Sequence, residues 1–229
     1  MTDCPFHGKM VRMLRLVIAN LNYSSWSMRP WLALKHARAE FRCHDVGLKT
    51  EDGWKERILQ FSGAGNVPIL VDGSLSVHES LAICEYVAEL FPEALLWPES
   101  RELRARGRAI SCEMHAGFAA LRGELTSNLR GRTVLRSLRP ETRADIARVF
   151  DIWKASLDSS GGPFLLGDFS IADCMFFPVA GRFRTYGVDL DDTARRYSDA
   201  LFGLDIVRQL EAEGANTPSI AEYDAFLSH

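Results

Sequence analysis

Asn66-Val67-Pro68-Ile69-Leu70-Val71-Asp72-Gly73, followed by His78-Glu79-Ser80-Leu81-Ala82-Ile83, constrains the fold more than any other stretch of these 229 residues. It reads as a strand beginning on Val-Pro, a tight turn at Asp-Gly, a second strand near Leu75 to His78, and a helix led by Glu-Ser. Proline lacks a ladder donor and so belongs at a strand's first residue or edge. X-Pro is also the bond where a cis peptide is cheap. A cis Val67-Pro68 bond would turn the Val67 amide and carbonyl outward to meet a peptide-like ligand. Glu79 and Ser80 would stand at a helix N-terminus, where free N–H groups and the helix dipole attract a carboxylate. Together these parts suit a short zwitterionic peptide.

The elements around this segment give its architecture. Leu14 to Ala19 reads as a first strand, followed by a helix with apolar Trp31, Leu32, Leu34 and Ala37. Phe41 to Leu48 alternates like a second strand, with Phe41, Cys43 and Asp45 on one side. A short helix from Trp54 to Phe61 and the turn Ser62 to Asn66 lead into the Val-Pro strand. A βαβ half followed by a ββα half is the thioredoxin-like arrangement. Phe91-Pro92-Glu93 stops the Glu-Ser helix, and Trp97-Pro98-Glu99-Ser100 reads as a linker. Beyond it the pattern is helical throughout. Leu103, Ile110, Met114, Phe118, Leu121 and Leu125 predict one long amphipathic helix, and Pro140 opens another carrying Ile146, Val149, Phe150, Trp153 and Leu157. Gly167 to Asp173 opens a third helix on a Ser170/Asp173 capping box, and Leu201 to Leu210 predicts a fourth. The expected division is a disordered leader at 1–12, an α/β domain at 13–91, a linker at 92–100 and an all-α domain at 101–229.

An apolar fraction of 47% supports a substantial core, and a formal charge of −3 makes no case for a nucleic-acid or membrane partner. The arginines between Arg101 and Arg148 alternate with apolar positions and read as a solvated helix face. Five scattered cysteines offer no CxxC or Cys/His ligand spacing, so neither a zinc site nor a redox dithiol is expected. Cys84 and Cys112 read as small hydrophobes on helical stripes, and the absence of a disulfide pattern suits a reducing cytoplasm.

The Val-Pro strand running into Glu79-Ser80-Leu81-Ala82-Ile83 resembles the glutathione-binding half of the glutathione transferase superfamily, and the order of elements extends the resemblance over nearly the whole chain. That resemblance implies glutathione as co-substrate, no metal, a homodimer and a small hydrophobic electrophile. It places the thiol-activating residue in Asn22-Tyr23-Ser24-Ser25-Trp26-Ser27-Met28-Arg29-Pro30, with Ser24 at the position of the serine-type classes. The segment is similar to the Ser-Ser-x-Ser of the zeta class, but that class has cysteine where this chain has Trp26, which counts against zeta-type isomerase chemistry. Tyr23 is an alternative donor; Ser25 and Ser27 read more simply as helix caps or exposed residues.

By the same resemblance Ser80 would bind the γ-glutamyl carboxylate, Glu79 the ammonium group, and the Val67 backbone the cysteinyl portion beside Pro68. Asn66 occupies a place where relatives carry a longer side chain, leaving the glycine carboxylate to Asn66, Lys49 or Lys55. Trp26, Met114, His115 and Phe118 are the expected lining of the second-substrate pocket. A free thiol has a pKa near ~8.5, and lowering it by about two units takes roughly 2.7 kcal/mol. One hydrogen bond to a charged partner supplies about 1.5–3 kcal/mol, so a serine hydroxyl at a helix start suffices without a general base. The competing readings are isomerisation, dehalogenation or peroxide reduction on the same site, and a non-catalytic regulatory or interaction module of this fold.

Overall fold

The computed structural model describes residues 13–47, 49, 52–134 and 137–228; the expected leader at 1–12 lies outside them. The N-terminal unit is a mixed four-stranded sheet in the order β2-β1-β3-β4, formed by β1 (Leu14–Ile18), β2 (Phe41–Asp45), β3 (Ile69–Asp72) and β4 (Leu75–His78). β2 runs parallel to β1, whereas β3 is antiparallel to both β1 and β4. Central β1 is apolar on both faces because both are covered. Leu14, Leu16 and Ile18 join the main core, with residues of α1 (Ser25–His36) and α3 (Ser80–Leu90), while Val17 meets Val46, Ile69 and Trp54 and Ile58 of α2 (Trp54–Leu59).

Strand β2 ends sooner than its alternation suggests. The Gly47 amide donates to the Asp45 carboxylate at 2.8 Å and Gly47 turns with φ +78°, a local Asx-type turn that closes the ladder. Residue 48 lies outside the described residues.

The second unit is helical: α4 (Arg101–Ala116), α5 (Ala119–Glu124), α6 (Pro140–Ser160), α7 (Ile171–Tyr186), α8 (Asp192–Phe202), α9 (Asp205–Ala215) and the short α10 (Ala221–Asp224). Two helices expected to be continuous are broken. Gly117 and left-handed Phe118 (φ +59°) separate α4 from α5, and a Cβ at Gly117 would lie 2.8 Å from the Glu113 carbonyl. The freed Leu121 amide is capped by Asp145 of α6 at 2.9 Å. The apolar spacing survives the break because the chain returns to helix after two residues. Likewise the span from Leu201 to Leu210 is cut at extended Leu204, so it belongs to α8 and α9.

Every residue of α7 but Arg184 is buried, and this helix packs against both α1 and α4, so one continuous core joins the two units. Cys84 is in that core, but Cys112 is exposed: the buried stripe of α4 passes through Ser111 and Met114 instead. Among the described residues no helix is long and apolar enough to cross a membrane.

Candidate active site

Two adjoining cavities open between the units. The smaller, about 310 Å³, is bordered by Asn66, Val67, Pro68 and Glu79, with His115 and Trp26 opposite. The Val67-Pro68 bond is cis, and β3 begins immediately after it. Glu79 sits at φ +72° before the first turn of α3. Such a conformation is uncommon for a side chain with a Cβ and tends to occur where surrounding structure enforces it at a site. Neither Glu79 nor any acidic residue of the first turn caps α3, which leaves that N-terminus to an outside anion.

Glu79 lies 3.2 Å from Nε2 of His115. Burial holds the His115 pKa below the usual imidazole range despite that carboxylate, with Arg29 and Arg122 adding to the effect. Ser80 is completely buried under this rim and borders neither cavity; its hydroxyl accepts from Nη1 of Arg29 at 3.4 Å.

The larger cavity, about 390 Å³, is bordered by Ser24 and Ser25 at the start of α1 and shares Trp26, Asn66 and Val67 with the smaller one. Ser24 is the N-cap: its hydroxyl accepts from the Ser27 amide at 3.3 Å and lies 2.8 Å from the Ser27 hydroxyl. The cap and the cavity wall are thus one residue. No acidic side chain occupies the first turn of α1 either. Ser27 is fully buried, and Ser25 accepts from Arg182 Nη2 at 3.2 Å.

Tyr23, which also borders the larger cavity, has its hydroxyl committed elsewhere. It donates to Asp224 at 2.7 Å and accepts from Arg130 at 2.8 Å and the Ile220 amide at 3.1 Å, pinning the C-terminal segment beside the cleft. Lys49 borders the larger cavity, and Lys55 borders neither.

Of the four residues expected around the second substrate, Trp26 and His115 face the cleft. Met114 and Phe118 do not: both are buried core side chains bordering neither cavity, Met114 on the buried stripe of α4 with Gly107 and Ser111, and Phe118 at the left-handed break.

Three arginines gather by the start of α1, two against Trp26 and Arg182 against Ser25. The Arg29 guanidinium lies 4.2 Å from the Trp26 ring centre and that of Arg122 lies 5.3 Å from it. Burial first, then the charges of Arg182 and Arg122, push Arg29 down to about 9, still cationic at neutral pH. Arg182, also buried, is pushed down to about 10. Among the described residues none of the three has a carboxylate within ion-pair distance, and the Arg29 Nε has no hydrogen-bond partner. The sequence carried a signal for Arg182, a charged residue following the apolar run Met175 to Gly181; Arg122 was concealed in an arginine-rich stretch that reads as solvated.

The glutathione S-transferase N-terminal domain model matches residues 23–90 and the corresponding C-terminal domain model matches residues 136–201. The chain belongs to the glutathione S-transferase family. Among curated relatives, a probable maleylacetoacetate isomerase of Caenorhabditis elegans is 29% identical over 202 residues, covering 85% of this chain and 90% of that protein. The maleylacetoacetate isomerase of Rattus norvegicus is 27% identical, covering 79% and 84% respectively. A glutathione transferase homologue from Burkholderia, crystallised with bound glutathione, shares the fold at a TM-score of 0.69 and 22% identity, covering 90% of this chain and 99% of its own. The thioredoxin-like sheet followed by an all-helical unit is this family's fold.

Proposed function

We propose that this family member is a glutathione transferase that binds glutathione across the two cavities and uses its thiolate as a nucleophile. The observation that carries the reading is Ser24: a hydroxyl at an acid-free helix N-terminus, on the wall of a cavity that adjoins the cis-Pro rim. In this reading the tripeptide backbone pairs with Val67 beside Pro68, Asn66 faces the glycine end, and Glu79 takes the ammonium group. The free N–H groups at the start of α3 take the γ-glutamyl carboxylate, with Ser80 and its partner Arg29 buried beneath them. The Ser24 hydroxyl donates to the sulfur, and the α1 dipole adds about 0.3–1 kcal/mol of preference for its charged form. The thiolate then attacks the electrophilic carbon of a small molecule in the larger cavity. A homodimer working in the cytoplasm is part of this proposal, from the family resemblance.

The two isomerase relatives favour a second reading of the same site. There the sulfur adds to a carbon–carbon double bond, the resulting single bond rotates, and the C–S bond breaks to return the thiolate.

Ultraviolet difference titration of the protein with glutathione tests the common step. A thiolate band appearing well below the free thiol's ~8.5 is expected. Binding without the band removes thiol activation, and no binding removes the proposal.

A further inference from the structure

Resting on that reading, we infer that the electrophile this chain is built for carries a carboxylate, in place of the apolar molecule expected from the sequence, and that Arg122 grips it. The larger cavity is bordered by Arg122, Arg182 and Lys49, and among the described residues no Asp or Glu borders it. Its aromatic wall, Trp26 and Trp54, provides a flat surface for a small unsaturated or aromatic body. Ser127 also borders this cavity, as does Thr126, whose hydroxyl pairs with that of Tyr186 at 2.7 Å.

The two arginines differ in what they have left to offer. Arg182 already donates from every nitrogen, to the Leu125 carbonyl at 2.7 Å, the Pro178 carbonyl at 3.1 Å and Ser25 at 3.2 Å. It supplies a field. Arg122 makes one hydrogen bond, from Nη1 to the His115 carbonyl at 3.2 Å. Among the described residues its remaining N–H groups have no acceptor, and they are not sealed in the interior. The acid whose charge reaches it, Asp145, accepts from the Leu121 amide and forms no ion pair with it.

Like charges gathered at a half-buried wall without a counter-ion raise the free energy of the empty site, and a bound anion lowers it. In that reading glutathione brings one carboxylate to the start of α3 and its glycine carboxylate to Asn66 or Lys49, so Arg122 remains for the second substrate. Guanidinium is the group suited to a carboxylate, by its planar fork of donors.

The test compares the carboxylate and the carboxamide of one chlorodinitrobenzene ring, each rate divided by that of glutathione alone. In both, the C–S bond forms at the carbon bearing chlorine, the C–Cl bond breaks, and chloride leaves with the electron pair. The wild-type kcat/KM should favour the carboxylate about tenfold to a hundredfold, the range for one charge-assisted hydrogen bond. Arg122→Gln should erase most of that ratio, mainly through KM, and Arg122→Lys should keep part of it. Should Arg122→Gln fail to fold, the unreactive dinitrobenzoate and its amide decide the matter as competitive inhibitors of the wild type, with the acid expected to be at least about tenfold tighter. Equal treatment of acid and amide overturns the inference. So does a variant that slows both equally while raising the pKa of the bound thiol, since Arg122 would then serve the sulfur. A protein that forms the thiolate but ignores the carboxylate loses this inference alone; one that does not bind glutathione loses the transferase reading with it.

Discussion

At the start of α7 stand Ser170 and Asp173; at the start of α1 stand Ser24 and Ser27. Both are serine-led helix starts with a polar residue three positions on, and the chain uses them oppositely. Asp173 accepts from the Ser170 amide and hydroxyl at 2.8 Å each, from the Leu165 amide at 3.1 Å and from Tyr197 at 3.0 Å, all completely buried. The helix end receives its negative charge from within the chain, and no outside group is required. At α1 the third residue is a neutral serine, the first turn holds no acid, and the cap opens on a cavity among unpaired cations. The contrast shows that a helix N-terminus becomes a candidate anion site when the sequence withholds the carboxylate there and the tertiary structure leaves a way in.

Breaking the buried start should have the largest effect. Asp173→Ala strands donors that water cannot reach, and a loss of about 3–5 kcal/mol is expected from urea midpoints. Burial pushes Asp173 up to about 6 from an ordinary 3.8, against the donors that lower it. Its proton is therefore held more tightly in the folded state. The associated stability is fully present below 3.8 and lost as pH rises to about 6. Asp173→Asn removes this titration, so its stability cost should shrink between pH 4 and pH 6.5 and level off above; a constant cost would mean that the carboxylate is not raised.

The open start is tested next by Ser24→Gly, because glycine caps nearly as well and costs only a few tenths of a kcal/mol. Stability should barely change while kcat/KM falls about ten- to a hundredfold, with the bound thiol's pKa raised by about one to two units. Unchanged kinetics would make Ser24 the same kind of residue as Ser170. The smallest effect is expected of Tyr23→Phe, which removes the group joining Asp224, Arg130 and the Ile220 amide. A cost of about 1–2 kcal/mol and a more protease-sensitive C-terminal segment are expected, with no movement of the thiol pKa. A shift there would return the donor role to Tyr23.

The features legible in the sequence are those set within a few residues. Pro68 fixes where β3 begins, Pro140 and the Ser170/Asp173 pair fix helix starts, and Ser24 caps α1, because backbone dihedrals and short-range hydrogen bonds are determined locally. Pattern alone misled where a distant partner decided the outcome. The stripe from Leu103 to Leu125 holds its phase across a break that Asp145 helps to cap, so Met114 and Phe118 go to the core. Arg122 looks like one more charge in an arginine-rich run until α5 turns it to the cleft, and Arg182 meets Ser25 across 157 positions of sequence. Local stereochemistry determined the cis-Pro rim and the serine cap. The cationic wall opposite was decided by packing α7 against α1 and α5 against α6, since charge convergence depends on which helix faces meet.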